Sequence, residues 1–150
     1  MPVGRRTLII AALVAALAGY VALRGRGGTD ADRIRGVISD VEEACEAKDV
    51  GGVATHISER YRDAEGLRKN EIKGLLFAQF LGQREKISVR RLGSTEVEMR
   101  GRSAATARFR AAIAGGGSAL LSGERWDFEV ELEKEDGVWR VTSHWRKPAP

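Results

Sequence analysis

The hydrophobic period of the chain changes near Lys86. Before this residue, apolar side chains recur every three to four residues, as on one face of a helix. The first such stripe follows Thr29 and Asp30, either of which can cap a helix, the second follows Asp49, and the third begins near Arg68. The positions predicted to face the core on these three helices are Ile34, Val37, Ile38, Val41, Ala44 and Cys45; Val53 and Ile57; and Ile72, Leu75, Leu76, and Gln79 or Phe80.

After Lys86 apolar and polar residues alternate, which predicts five antiparallel strands, each with one apolar and one charged face. The positions predicted to face inward are Ile87, Val89 and Arg91; Val97 and Met99; Ala105, Ala107, Phe109, Ala111 and Ile113; Trp126, Phe128, Val130 and Leu132; and Trp139, Val141, Ser143 and Trp145. The same alternation points His144 outward. Gly115–Gly117 and Glu135–Gly137 predict turns. Helices followed by a strand meander predict an α+β fold, with the N-terminal helices on the apolar face of the sheet.

An uncharged, apolar run of 17 residues, Thr7–Leu23, precedes the helices. As a helix it is roughly 25 Å long, the short end of what crosses a bilayer, and Arg5, Arg6 and Arg24 limit it. It therefore predicts a single-pass anchor in the cytoplasmic membrane, with the C-terminal domain outside the cytoplasm. Alternatively, cleavage after Ala18 would release a secreted or periplasmic protein. The predicted organisation is an anchor or signal segment with a Gly/Arg linker at 1–28, a domain at 29–147 and a tail at 148–150.

The excess of positive charge lies in this leader. Four of the 25 Lys and Arg residues precede Thr29, whereas all 21 Asp and Glu residues follow it, so 29–150 has 21 charges of each sign. This balance argues against a nucleic-acid partner. The only cysteine, Cys45, is predicted to be a buried thiol on the first helix. No group of His, Cys and carboxylates has metal-ligand spacing, and we expect no metal and no cofactor.

Three segments carry a resemblance to a known superfamily: Glu46–Asp49 at the end of the first helix, Tyr61–Gly66, and Gly137–Val141 in the last strand. With the change of period, they make 30–147 similar to the nuclear transport factor 2-like, or SnoaL-like, superfamily of cystatin-like α+β domains. The resemblance implies helices packed in the concave face of a curved, cone-like antiparallel sheet, with a pocket at its wide end. This fold supports enzymes, small-molecule binders and assembly modules.

Enzymes of this superfamily place an Asp or His inside the cone. Here the predicted interior is apolar apart from Arg91, Ser143 and Thr95, so no residue matches the catalytic positions. The sequence therefore favours a non-catalytic, membrane-tethered binding or assembly domain. The alternative is a small-molecule binder, or an isomerase, cyclase or dehydratase that uses the pocket.

The hydrogen-bonding segment around Tyr61 has two interpretations: it packs under the sheet and caps a turn, or it lines the mouth of a ligand site. The candidate ligand contacts are Tyr61, Asp63, Arg91, Trp126, Ser143 and Trp145. Apart from the membrane at Thr7–Leu23, the possible partners are an unknown protein or a second copy bound through the charged sheet face. On that face Arg108 and Arg110 are expected opposite Glu129 and Glu131.

Overall fold

The computed structural model describes residues 28–82, 84–114 and 122–150. Three helices precede four strands: α1 Asp30–Glu46, α2 Val50–Thr55, α3 Lys69–Gly82, β1 Ser88–Arg100, β2 Ala104–Ala114, β3 Ser122–Glu135 and β4 Val138–Pro148. The predicted α+β fold is confirmed: the helices pack on a curved antiparallel sheet.

The predicted anchor and one predicted turn lie outside this part of the chain. Thr7–Leu23 and Gly115–Gly117 fall before residue 28 and between residues 114 and 122. Within the described residues, no helix has both the length and the apolar character needed to cross a bilayer.

The starts of the first two helices follow from their capping residues. The Thr29 hydroxyl accepts a hydrogen bond from the Asp32 amide, and the Asp32 carboxylate accepts one from the Thr29 amide, both at 3.2 Å. This reciprocal arrangement satisfies two amides that the helix itself leaves without partners. At α2, the Asp49 carboxylate accepts from the Gly52 amide at 2.9 Å, as its sequence position predicts.

The sheet is a meander in the order β1-β2-β3-β4, with every neighbouring pair antiparallel. It has four strands in the described residues, not the five that the alternation predicts. The two segments expected as separate strands, around Val89 and Val97, form the single strand β1. An irregularity in pairing between Leu92 and Glu96 interrupts the alternation without ending the strand.

The core lies between α1 and the inner face of the sheet. Trp139, buried on β4, donates its indole N–H to the Asp30 carboxylate at 3.1 Å, and the Lys134 ammonium reaches the same oxygen at 3.1 Å. These bonds hold the start of α1 against the β3–β4 end of the sheet. The buried apolar cluster consists of Ile34, Val37, Ile38, Val53, Ile57, Tyr61, Ala105, Ala107, Val130, Leu132, Trp139 and Val141.

The outer face of the sheet has paired charges across strands. Arg108 lies opposite Glu129, and their side chains are 2.9 Å apart, so unlike charges face each other across β2 and β3 as expected. Arg108 also reaches Glu98 on β1 at 2.8 Å. Arg110 pairs with Asp127 at 2.7 Å, and Glu131 lies opposite Thr106. The register is therefore shifted by two residues from the one that would place Arg108 and Arg110 opposite Glu131 and Glu129.

Strand β4 contains one extra residue relative to β3. Leu132 pairs with Val141 and Glu131 with Ser143, so Thr142 has no partner and forms a bulge. The chain segment 56–62 runs along this edge: the Ser58 amide donates to the Val141 carbonyl at 2.9 Å and the Arg62 amide to the Thr142 carbonyl at 3.0 Å. Because each residue of a strand faces opposite to the next, the bulge reverses the facing of every residue after Thr142.

Candidate functional site

A pocket of about 280 Å³ lies between the helices and the inner face of the sheet. Its wall is mostly aliphatic and aromatic, and five isoleucines are spread around it: Ile38, Ile57, Ile72, Ile87 and Ile113. The polar or titratable residues that line it are Glu42, Cys45, Tyr61, Gln79, His144 and Arg146. An apolar enclosure with a few polar groups is the usual form of a small-molecule site.

Two of these polar residues form a pair. The Tyr61 hydroxyl is hydrogen-bonded to Nδ1 of His144, and the two rings are stacked with centroids 6.2 Å apart. Tyr61 is carried to this position by the segment that covers the edge of β4, and only 3 % of its surface is exposed. The hydrogen bond joins this segment to the pocket wall on β4.

His144 reaches the pocket because of the bulge at Thr142. Past it, His144 pairs with Val130 on the inner face, whereas Ser143 and Trp145 pair with Glu131 and Glu129 on the outer face. The predicted orientations of these three β4 residues are therefore wrong. Trp145 is 49 % exposed, and the Lys147 ammonium lies 5.7 Å from the centre of its ring.

The prediction that the interior holds no imidazole or carboxylate is also wrong. His144 and Glu42 both line the pocket. No signal in the sequence marks the reversal, because Trp145 continues the apolar alternation of Trp139 and Val141 as if β4 were regular.

Burial sets the protonation of the pocket's titratable groups. It lowers the pKa of His144, an effect that Arg146 reinforces and that Asp63 and Glu65 partly oppose. It raises the pKa of the Tyr61 phenol, with a smaller contribution from Asp63. Burial, with Glu42 and Glu46 nearby, raises the pKa of the Cys45 thiol to about 11. At neutral pH the pocket therefore contains a neutral imidazole, a phenol and a thiol.

We expect His144 to make the folded state less stable as the pH falls below about 6.5, the ordinary pKa of histidine. Because its pKa is lower in the folded state, the unfolded chain binds the proton first, and stability falls with pH from there to the folded-state pKa. Urea unfolding of the full chain at pH 7 and pH 5 measures this loss. His144→Gln, which cannot titrate, should show a smaller loss; an equal loss would contradict the assignment to His144.

The other predicted site residues have structural partners. The Arg91 guanidinium makes two bonds to Glu42, at 2.8 and 3.1 Å, and one each to Ser39 and Thr95. The Asp63 carboxylate accepts from the amides of Glu65 and Leu67, which closes the turn before α3.

Trp126 lies on the inner face beside the pocket. The Arg146 guanidinium lies 5.1 Å from the centre of its ring, and in the described part of the chain its indole N–H is buried without a hydrogen-bond partner. Of the six predicted ligand contacts, the structure thus places Tyr61 in the wall of the pocket. Over residues 28–82, 84–114 and 122–150, no group of three or more His, Cys, Asp or Glu side chains could hold a metal ion.

No protein-family model matches the chain, and no curated protein matches it. Solved structures do match the chain. An uncharacterised protein with a cystatin-like fold from Caulobacter vibrioides matches with a TM-score of 0.69 and 13 % identity, over 82 % of this chain and 92 % of that one. A proposed dehydratase of the NTF2-like family from Streptomyces avermitilis matches with a TM-score of 0.67 and 14 % identity, over 80 % and 96 %.

The chain has the cystatin-like fold of the NTF2-like proteins. Bd1075 of Bdellovibrio bacteriovorus also matches, with a TM-score of 0.68 and 8 % identity; the match covers 78 % of this chain but only 40 % of that longer one. At these identities the likeness extends to the fold alone, so function has to be argued from the pocket.

Proposed function

We propose that this domain is a binding module for a small, mostly apolar molecule, held in the pocket between the helices and the sheet. The observation that carries the proposal is the pocket itself: about 280 Å³ of space with a mostly apolar wall and the Tyr61–His144 pair. The core packs closely elsewhere, with residues such as Ile34, Ala105 and Leu132 fully buried. An apolar space of this size loses contacts when empty, and a ligand of about a dozen non-hydrogen atoms would restore them.

The polar groups of the pocket favour binding over catalysis. The Glu42 carboxylate is already held by two hydrogen bonds from Arg91, which leaves it poorly placed to take a proton from a ligand. His144 is the remaining group that exchanges a proton near neutral pH, and its Nδ1 is bound to Tyr61. An isomerase or dehydratase of this fold would need His144 as its base, and it remains the alternative.

Filling the pocket should weaken ligand binding. Ala111 lies on β2 in the pocket wall and is 1 % exposed, so Ala111→Phe places a ring where the ligand would lie. We expect at least a tenfold loss of affinity for ethylbenzene, with the unfolding free energy unchanged or raised because the ring gains contacts. Binding is followed through the δ1-methyl NMR signals of the five pocket isoleucines in the full chain, held in a mild detergent.

Ala114→Phe is the matched control, since it makes the same replacement at an exposed position of the same strand. It should leave the affinity within about twofold of the original. Uptake of ethylbenzene by the detergent is the same for all variants, so it cancels in these ratios. Equal binding by the Ala111 and Ala114 variants would exclude a ligand site in this pocket.

We also propose that the domain is tethered to the cytoplasmic membrane through Thr7–Leu23 and lies outside the cytoplasm. The support is the apolar run itself, which Arg5 and Arg6 limit on one side and Arg24 on the other. We expect the intact mass of the mature protein to include residues 1–28. A mass equal to that of a chain starting at Gly19 would instead show cleavage after Ala18. Self-association through the outer charged face of the sheet remains a further proposal.

A further inference from the structure

The Tyr61–His144 pair limits which ligands the pocket can accept. The shared hydrogen bond leaves Nε2 of His144 as the second ring nitrogen. Whether this nitrogen donates or accepts a hydrogen bond depends on where the two hydrogens of the pair lie. One of these hydrogens belongs to the phenol and one to the neutral imidazole.

The phenol hydrogen decides the arrangement. If Nδ1 carried the imidazole hydrogen and donated it to Tyr61, the phenol would need a second acceptor for its own hydrogen. Among the described residues, Nδ1 of His144 is the hydrogen-bond partner of this hydroxyl, and the Tyr61 side chain is buried. A buried hydroxyl without an acceptor is costly. Tyr61 therefore donates to Nδ1, and the imidazole hydrogen lies on Nε2.

Burial keeps this donor uncharged in spite of nearby carboxylates. Arg146 lies on the same face of β4 as His144 and lowers its pKa, whereas Asp63 and Glu65, in the loop before α3, raise it. Burial in the pocket wall outweighs the two carboxylates and keeps the imidazole neutral. Glu42, the carboxylate in the wall, is neutralised by Arg91. The group that the pair offers to a ligand is thus one neutral N–H.

We propose that the ligand is an apolar molecule bearing a neutral hydrogen-bond acceptor, such as a carbonyl oxygen, to which the Nε2–H of His144 donates. This inference rests on the proposed function and adds the chemical class of the ligand. A buried donor left without an acceptor costs free energy, so the pocket discriminates against a plain hydrocarbon of the same shape.

We would test this proposal by measuring the binding of three probes of similar shape to the full chain in mild detergent: acetophenone, ethylbenzene and benzoate. At pH 7 we expect acetophenone to bind at least tenfold better than the other two, after each is corrected for its uptake by protein-free detergent. His144→Phe should lower the affinity for acetophenone about tenfold and leave the affinity for ethylbenzene within about twofold of that of the original chain. His144→Gln, whose amide keeps an N–H donor, should recover part of the loss.

The ring nitrogens of His144 provide a readout that needs no ligand. In ¹⁵N spectra of the original chain at pH 7, Nε2 should have the shift of a protonated nitrogen and Nδ1 that of a hydrogen-bonded acceptor. In Tyr61→Phe the two tautomers should mix, because Nδ1 loses its donor. A hydrogen on Nδ1 in the original chain would overturn the inference.

The binding outcomes separate this inference from the proposed function. If ethylbenzene binds as well as acetophenone, or if His144→Phe weakens both equally, the pocket binds ligands but the acceptor class is wrong. If benzoate binds best at pH 7, the ligand is an anion held by Arg146, and the neutral class is again wrong. If none of the three shifts the isoleucine signals, the proposed function itself fails.

Discussion

Replacing Ile34 by alanine should lower the unfolding free energy by about 3 kcal/mol. Ile34 is 0 % exposed and lies at the centre of the contact between α1 and the sheet. The substitution removes three carbon atoms and leaves a space that the close-packed neighbours fill only in part. Alanine's better helix propensity returns at most about 0.5 kcal/mol of this loss.

Leu81→Ala is the matched control, since it removes an aliphatic side chain of equal size from a helix. Leu81 is 71 % exposed, so its loss should change the unfolding free energy by less than about 0.5 kcal/mol. Urea unfolding of both variants, followed by tryptophan fluorescence, to which buried Trp139 contributes, measures the difference. Equal effects at the two positions would show that α1 does not pack on the sheet as described.

Replacing Arg91 by leucine should lower the unfolding free energy by about 2 kcal/mol. Its guanidinium forms a two-pronged pair with Glu42, and the side chains are only 22 % and 19 % exposed. Removing the cation leaves a carboxylate in the wall of an apolar pocket, where its desolvation is no longer compensated. We place the cost below that of a fully buried pair because both side chains retain some contact with water.

The double variant Glu42→Leu/Arg91→Leu separates this explanation from a simple loss of packing. With both charges gone, no ion is left unpaired, and we expect most of the stability to return. Urea unfolding of the original chain, both single variants and the double variant completes the cycle. Strictly additive losses would contradict the pairing, and would leave Arg91 free for the ligand-contact role that its sequence position suggests.

Several elements could be read from the sequence because they depend on local chemistry. Asp49 caps α2 as predicted, and Thr29 caps α1, because a side-chain oxygen at the start of a helix satisfies nearby amides in almost any fold. The position of Arg108 and Glu129 on the same outer face follows from the alternation of apolar and polar residues in β2 and β3. Alternation excludes a one-residue slip, which would turn the buried face outward, but it does not exclude a slip of two residues, so the pairing of Arg110 with Asp127 could not be predicted.

The pocket chemistry could not be read in this way, because it depends on one unpaired residue. The bulge at Thr142 is held by backbone bonds from the segment 56–62, which is some 80 residues away in the chain. A backbone bond of this kind leaves no mark in the pattern of side chains. Strict alternation therefore predicts that His144 faces outward and Ser143 inward, and both predictions are wrong.

The sequence by itself determined the helices, the antiparallel meander and the separation of an apolar face from a charged one. These follow from the period of the apolar residues and from caps that act within a few positions. Only the tertiary structure decided that Arg91 would be neutralised by Glu42 and that Tyr61 would meet His144 at the pocket. Both pairs join residues far apart in the chain, and packing alone determines which of such residues come within hydrogen-bonding distance.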